Sequence, residues 1–224
     1  MKQSFFPGIY EQKKGGRISL FTKNITPGKT FFDEKTVREG NIEYREWDPR
    51  RSKLAAFILK GANQIGIKEG HKVLYLGASY GYTSSYVSDI VGNGGMVFAL
   101  DFAPRVMRDL VFLCEERKNM APLFFSANHP EEYKDRIIHP VDIVYMDIAQ
   151  KNQAEIFLKN VGLFLKKESY CLLAVKARSI DVTKKPGVLF KQVRKKLEEK
   201  LTVVDYKTLE PFEMDHAMFV CKKK

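Results

Sequence analysis

The chain has 224 residues, a length that allows one α/β domain with a large core and a small additional domain. Its formal net charge of +11 is spread over the whole sequence, which favours RNA or DNA as a partner over a membrane; a thermophilic surface rich in ion pairs is the other explanation. Three widely spaced cysteines, with no CxxC pair, argue against a metal site and for a reducing compartment.

The first 47 residues are expected to form antiparallel hairpins. Short segments that alternate apolar and polar side chains are separated by glycine turns, a pattern typical of strands. The chain begins without the apolar run of a signal peptide, so we expect a cytoplasmic location. We predict a small β domain over residues 1–47 that packs against a second domain over residues 48–224.

A helix is expected to follow, because the apolar spacing becomes helical from Leu54 onwards. Asp48, followed by a proline, is a plausible helix start and would place Lys53 in the first or second turn. A lysine there is slightly unfavourable against the helix dipole. This suggests a role for Lys53, although a lysine on the surface is the simpler interpretation.

The main domain opens with an apolar strand, a glycine turn and a helix that runs to Val91. Gly77 and Gly81 carry no Cβ, so the backbone can adopt positive φ and a ligand can approach the free N–H groups of the helix. Many α/β proteins without a cofactor share this arrangement. The turn alone therefore does not establish a binding site.

The next strand ends on Asp101, about twenty residues beyond the glycines. In doubly wound folds an acid at this position accepts hydrogen bonds from the ribose hydroxyls of a nucleotide cofactor. The third glycine of the dinucleotide fingerprint is missing, and S-adenosylmethionine, which has a ribose but no pyrophosphate, does not require it. We therefore expect S-adenosylmethionine as the cofactor.

Strands and helices alternate along the rest of the chain, which predicts an α/β, Rossmann-like fold with a largely parallel sheet covered on both faces. Ligands of such sheets bind beyond the carboxyl ends of the strands. The expected strands are 73–77, 96–101, 122–126, 141–147 and 169–176, with an antiparallel pair at 201–209 and 216–222; the expected helices are 82–91, 103–118, 152–165 and 187–199.

Two charged residues stand at ends of these strands. Asp147 ends one strand and Lys176 ends the next, so both are expected on the edge that the glycine turn and Asp101 occupy. A lysine after a buried strand needs a partner or water, and Asp147 is the candidate. The pair is either a structural ion pair or a device that takes a hydroxyl proton. His216 begins the last strand, where a structural role is the simpler interpretation.

Several strings of residues resemble the archaeal branch of the fibrillarin family, which are S-adenosylmethionine-dependent RNA 2′-O-methyltransferases. The similarity covers nearly the whole chain. It implies a Rossmann-like methyltransferase domain behind a small N-terminal antiparallel β domain. The strings are Ser52 to Ala56, Leu74 to Ser79, Ala103 to Arg105, Asp147 to Gln150, Lys176 to Asp181 and Glu210 to Glu213.

The resemblance also implies a set of site residues. Lys176 with Asp147 would activate the ribose 2′-hydroxyl, while Lys53 and His216 would orient the nucleotide or support the lysine. No metal is implied. The cofactor contacts would come from Gly77, Ala78, Tyr82, Thr83, Asp101, Phe102, Ser126, Ala127, Asp147, Ile148, Ala149 and Gln150.

Three of the cofactor positions depart from the family pattern. Tyr82 replaces the first of two threonines, Asp101 replaces a glutamate, and Ser126 replaces an aspartate that accepts from the adenine amino group. An uncharged serine should bind that amino group less strongly than a carboxylate. These changes concern cofactor affinity more than the chemistry.

The resemblance implies partners as well. Members of the family act in a particle with a box C/D guide RNA, a Nop-family coiled-coil scaffold and a kink-turn-binding protein, and the guide pairs with rRNA or tRNA. The expected function is guide-directed ribose methylation. A catalytically weakened structural subunit of the same particle and a small-molecule O-methyltransferase are the alternatives; the second usually needs a metal site or an apolar lid, which the sequence does not suggest.

Overall fold

The computed structural model describes all 224 residues, which form two β-sheets and six α-helices. The first sheet is antiparallel, with strand order β1-β2-β3-β5-β4; it contains three hairpins, β1-β2, β2-β3 and β4-β5, as the alternating pattern predicts, and β5 pairs with β3. Its strands are β1 (Lys2–Gln3), β2 (Ile9–Lys14), β3 (Arg17–Lys23), β4 (Thr36–Glu39) and β5 (Ile42–Trp47).

The second sheet has seven strands in the order β11-β12-β10-β9-β6-β7-β8. The strands from β10 to β8 in that order run parallel, and β12 and β11 are antiparallel additions beside β10. The strands are β6 (Lys72–Leu76), β7 (Met96–Asp101), β8 (Met120–Phe124), β9 (Val141–Met146), β10 (Leu165–Lys176), β11 (Leu201–Thr208) and β12 (His216–Lys223).

Helices cover both faces of this sheet, because the central strands are apolar on both sides. One face packs against α1, α2 and α3, and the other against α4 and α6. No helix is both long enough and apolar enough to cross a membrane. The helices are α1 (Lys53–Leu59), α2 (Tyr82–Val91), α3 (Pro104–Glu116), α4 (Gln153–Phe164), α5 (Ala177–Ile180) and α6 (Pro186–Glu198), with short 3₁₀ turns at Pro130–Glu132 and Lys134–Arg136.

The first sheet shares its hydrophobic core with the face that carries α1 to α3. Trp47 is fully buried and stacks on Tyr86 of α2, with ring centroids 5.0 Å apart. Ile9 and Leu20 belong to the same cluster. A division of the chain into domains at residues 47 and 48 stays a prediction, since the apolar core is continuous across it.

A buried set of charges also joins the first sheet to the main one. Arg45 of β5 donates to Glu34 at 2.7 Å and to Asp89 of α2 at 2.9 Å. Asp89 also accepts from Arg117 at 2.8 Å and from the hydroxyl of Thr22 at 2.7 Å. Two cations and two carboxylates thus neutralise each other in the core, which is the arrangement that makes buried charges tolerable.

Several boundaries differ from the sequence prediction; β10, for example, begins at Leu165 and not at residue 169. Ser52, and not Asp48, is the N-cap of α1: its hydroxyl accepts from the amide of Ala55, while Asp48 closes a turn by accepting from the amide of Arg50. Strand β8 begins and ends two residues earlier than expected, so Ser126 lies in the loop beyond it. Strand β12 extends one residue beyond the expected end at 222, to Lys223.

Candidate active site

The carboxyl ends of the parallel strands bring the charged residues of the sequence analysis to one edge of the sheet. In register, Leu76 of β6 lies beside Leu100 of β7 and Met146 of β9, so the residues that follow these strands are neighbours. Lys176 ends β10 directly opposite His216 of β12. This edge is where ligands of doubly wound sheets bind.

A pocket of about 160 Å³ opens at this edge. Asp101 lies in it, and its two carboxylate oxygens accept from the backbone amides of Ser79 at 2.8 Å and Ala103 at 2.9 Å. Each oxygen keeps a lone pair for a further donor, so the carboxylate is held in place and can still accept from ribose hydroxyls. The lining residues are Gly77, Ser79, Leu100, Asp101, Phe102, Ala127, Asp147, Ile148, Ala149 and Gln150.

The two glycines of the turn have different roles. Gly77 has a φ of +83°, and a Cβ there would lie 2.4 Å from the carbonyl oxygen of Asp147. Gly81 has a φ of +92°, and a Cβ there would lie 2.2 Å from Leu113 of α3. Only Gly77 therefore joins the turn to the pocket, while Gly81 allows α2 and α3 to approach closely.

The carboxylate of Asp147 is paired with Lys53, whose amine donates to it at 2.9 Å. Both side chains are about one-fifth exposed, so the pair is only partly screened by water. Burial alone would lower the pKa of Lys53, but the attraction of Asp147, its hydrogen bond and the charge of Glu213 outweigh burial and raise that pKa. Lys53 is thus a permanent cation that fixes the carboxylate.

Lys176 does not form the ion pair that the sequence analysis expects. Its side chain is exposed and makes no salt bridge, because Lys53 on α1 reaches Asp147 instead. The backbone of Lys176 is held by the side chain of Gln153, whose oxygen accepts from the Lys176 amide at 3.2 Å. The edge therefore carries one paired carboxylate and one free ammonium group.

His216 is 8 % exposed and lies at the same edge. Its Nδ1 lies 2.6 Å from the carbonyl oxygen of Met214, which can only accept, so Nδ1 carries the proton. Burial lowers the pKa of His216 and the charge of Lys53 lowers it further; together these exceed the opposing hydrogen bond to Met214 and the charges of Glu213 and Asp147. The neutral ring leaves Nε2 as a hydrogen-bond acceptor.

Three side chains expected to contact the cofactor do not line the pocket. Tyr82 packs edge-on against Phe32 and accepts from the amide of Asp48, because its large ring is accommodated in the core shared with the first sheet. Thr83 lies inside α2 and donates to Ser52 at 3.0 Å. Ser126 lies in the loop after β8 and accepts from the amide and the side chain of Asn128.

The other expected cofactor residues do gather at the pocket. Gly77, Asp101, Phe102 and Ala127 line it together with the four residues from Asp147 to Gln150. Ala78 lies beside it, with its amide bonded to the carbonyl oxygen of Leu100.

Three residues of this edge were not predicted as site residues from the sequence: Ser79, Gln153 and Glu213. Ser79 binds Asp101 through its backbone amide, which no side-chain pattern reveals. Glu213 contributes negative charge next to Lys53 and His216, and its place in a family-like string was the one available signal. In the sequence, Gln153 is indistinguishable from an ordinary polar residue at the start of a helix.

Comparison with known proteins gives consistent results. The family model described as Fibrillarin matches residues 1–224. A fibrillarin-like rRNA/tRNA 2′-O-methyltransferase of Methanocaldococcus jannaschii is 49% identical over 220 residues, which cover 97% of this chain and 95% of that protein.

Two solved structures are similar over nearly their whole length. Aeropyrum pernix fibrillarin in complex with natively bound S-adenosyl-L-methionine has a TM-score of 0.90 and 41% identity, with 98% of this chain and 96% of that chain covered. A chain of a fibrillarin/Nop5p complex has a TM-score of 0.84 and 40% identity, with 92% and 94% covered. Since the family model spans every residue, this chain belongs to the fibrillarin family.

Proposed function

We propose that this chain transfers a methyl group from S-adenosylmethionine to the 2′-hydroxyl of a ribose in rRNA and tRNA. The observation that carries the proposal is that one pocket touches both Asp101, a fixed carboxylate suited to ribose hydroxyls, and Asp147, a carboxylate paired with a lysine. Family membership and the name of the Methanocaldococcus jannaschii relative support the reaction type.

The pocket fits the cofactor by its chemistry. Asp101 would accept from the ribose hydroxyls, and the exposed ring of Phe102 and the backbone near Ala127 would bound the adenine. Gly77 admits the backbone of the turn close to the methionine part. When bound there, S-adenosylmethionine supplies an electrophilic methyl carbon, and its C–S bond breaks as the new C–O bond forms.

Asp147 would orient the acceptor hydroxyl and take its proton. One carboxylate oxygen is occupied by Lys53, and the other is free to accept from the 2′-hydroxyl. The attacking oxygen becomes positively charged as it bonds to carbon, so its proton becomes strongly acidic. The ion-paired carboxylate of Asp147 is therefore a sufficient acceptor.

Lys176 and His216 would position the nucleotide. Lys176 offers an exposed cation for the oxygen or phosphate of the acceptor ribose, since no acid neutralises it. His216 presents Nε2 as an acceptor, because its Nδ1–H is used by Met214. Alignment of this kind accounts for much of the rate of an in-line displacement.

We further propose that the chain is the catalytic subunit of a box C/D ribonucleoprotein in the cytoplasm. A guide RNA would select the target by base pairing, a Nop-family protein would act as scaffold, and a kink-turn-binding protein would join them through the RNA. The fibrillarin/Nop5p complex, whose fibrillarin-like chain is 40% identical to this one, supports the scaffold. The net charge of +11 supports an RNA partner.

A second candidate function is a structural subunit with weakened catalysis. It is favoured by one observation: Tyr82, Thr83 and Ser126, three expected cofactor contacts, have side chains that do not line the pocket. Titration of S-adenosylmethionine into the purified chain with its scaffold separates the two. Absence of binding at millimolar cofactor supports the structural subunit.

The catalytic proposal is tested by Asp147→Asn in a reaction reconstituted with guide RNA and scaffold. We expect the single-turnover rate to fall by about 100-fold or more, because the amide cannot accept the proton. The rate is measured at saturating S-adenosylmethionine, because Asp147 also lines the cofactor pocket. Asp142→Asn is the matched control: Asp142 lies on β9, the strand that Asp147 follows, and pairs with Lys166, but at the opposite edge of the sheet. Equal rates for the two variants would refute the role of Asp147.

A further inference from the structure

Gln153 is a fully buried amide at the first position of α4. Its nitrogen donates to the carbonyl oxygens of Gln150 at 3.0 Å and Lys176 at 3.3 Å. Its oxygen accepts from the backbone amide of Lys176 at 3.2 Å. One side chain therefore binds both backbone groups of Lys176 and the loop that follows β9.

The place of Gln153 in the sheet explains these bonds. The parallel pairing of β9 with β10 ends where Leu173 faces Met146, so Lys176 extends beyond its neighbour on that side. Its N–H and C=O would otherwise be left without a strand partner. The amide of Gln153 satisfies both groups, in the position that a continued β9 would have occupied.

The same bonds connect two parts of the site that the strands themselves do not connect. Gln150 lines the methyl-donor pocket, and Lys176 carries the free ammonium group at the acceptor side. Because Gln153 is rigidly placed at the start of a packed helix, its amide fixes the distance between them.

We propose that Gln153 is a positioning residue that holds the strand end carrying Lys176 and the cofactor loop at Gln150 in one fixed relation. The proposal rests on the function proposed above. It adds a residue that touches neither the cofactor nor the RNA and acts through the backbone of two residues that do.

The test compares Gln153→Met with Asn119→Leu in the full chain. Both replacements keep the approximate shape and remove a buried amide. Asn119 also makes three hydrogen bonds, with the Oγ and carbonyl oxygen of Ser88 and the carbonyl oxygen of Gly92, at the end of α2 away from the site. Asn119→Leu should therefore lose about as much stability as Gln153→Met, while its substitution lies away from the catalytic edge.

Three measurements are made on each variant: hydrogen exchange at the Lys176 amide, affinity for S-adenosylmethionine, and the single-turnover rate of guide-directed methylation at saturating cofactor. We expect Gln153→Met to accelerate exchange at Lys176, weaken cofactor affinity several-fold and lower the rate by about 10-fold or more, since small displacements of reacting groups are costly. Asn119→Leu should change none of these beyond about twofold.

The proposal is overturned if Gln153→Met matches Asn119→Leu in hydrogen exchange at Lys176 and in cofactor affinity. It is also overturned if Gln153→Met leaves the methylation rate of an active particle unchanged. A wild-type particle that binds cofactor but transfers no methyl group would refute the proposed function alone. In that case exchange and affinity still decide the role of Gln153, because neither depends on turnover.

Discussion

At the scale of single residues, two lysines of the site differ in their surroundings. Lys53 is paired with Asp147 and has a raised pKa, so it cannot release its proton near neutral pH. Lys176 has no acidic partner and is exposed. The first is suited to fixing a carboxylate, and the second to meeting the RNA.

This difference predicts the behaviour of substitutions at Lys176. Lys176→Ala should lower the single-turnover methylation rate by roughly 100-fold, because the acceptor ribose loses a group that positions it for in-line attack. Lys176→Arg should recover at least about tenfold of that loss, because arginine keeps the cation. Arginine cannot give up its proton, so this recovery would show that Lys176 does not act as a base. An arginine variant as inactive as the alanine variant would instead make Lys176 the proton acceptor.

Lys68→Ala is the matched control for Lys176→Ala. Lys68 is an exposed lysine in the loop before β6, at the amino edge of the sheet. Its loss should leave the single-turnover rate within about twofold of wild type, as expected of surface substitutions distant from a site.

The rule that ligands bind at the carboxyl ends of strands placed Asp101, Asp147 and Lys176 on one edge from the sequence, whereas His216 was assigned to the site only by the family resemblance. The partner of Asp147 was predicted wrongly, because it depends on how closely α1 packs over the sheet, and that is a tertiary contact. The bonds of Gln153 were not predictable either, since they depend on where β9 stops pairing with β10.

At the scale of elements, the turn after β6 is defined by Gly77. Two features disfavour a side chain at this position: the positive φ of +83°, and the carbonyl oxygen of Asp147, which would lie 2.4 Å from a Cβ. Because that oxygen belongs to the backbone, it can move away only if the loop carrying Asp147 moves.

Gly77→Ala should therefore weaken binding of S-adenosylmethionine by about tenfold or more, which calorimetry on the folded variant would measure. Gly162→Ala is the control, because Gly162 lies within α4 with open space around its Cβ position and no positive φ. It should leave affinity unchanged and stabilise the chain by up to about 1 kcal/mol. Wild-type affinity in Gly77→Ala would show that the turn does not shape the pocket.

Alternating helices and strands predicted the elements of the main sheet correctly, and the Rossmann-like fold is confirmed by the solved structures of the family. The misplaced strand was β8. The strand was expected to begin at Pro122, but β8 is an edge strand and such strands tolerate a proline within them. Ser126 was consequently expected at the strand end, whereas it lies in the loop.

At the scale of the whole molecule, the first sheet and the main sheet are joined by both a shared apolar core and buried charges. Trp47 stacks on Tyr86, and Arg45 bonds to Asp89 beneath them. The hairpin pattern in the sequence predicted the first sheet, but not this buried connection, because charged residues in strands are usually exposed.

The connection predicts one cooperative unfolding transition and a large effect of Arg45→Met. The free energy of unfolding, measured with urea, should fall by about 3–5 kcal/mol in this variant, because Glu34 and Asp89 lose a buried partner. Arg38→Met, an exposed arginine of the same sheet, should change stability by no more than about 0.5 kcal/mol. Two separate transitions, with only the first shifted by Arg45→Met, would show that the first sheet unfolds as an independent domain.

Methylation of the ribose 2′-hydroxyl is tested most directly by the reconstituted, guide-directed reaction on a target whose selected nucleotide carries deoxyribose. We expect methyl transfer to that nucleotide to fall to background while binding of the RNA and of S-adenosylmethionine persists, because Asp147 then has no hydroxyl to deprotonate. Methyl transfer to the deoxyribose nucleotide at the ordinary rate would contradict it and would place the acceptor atom on the base.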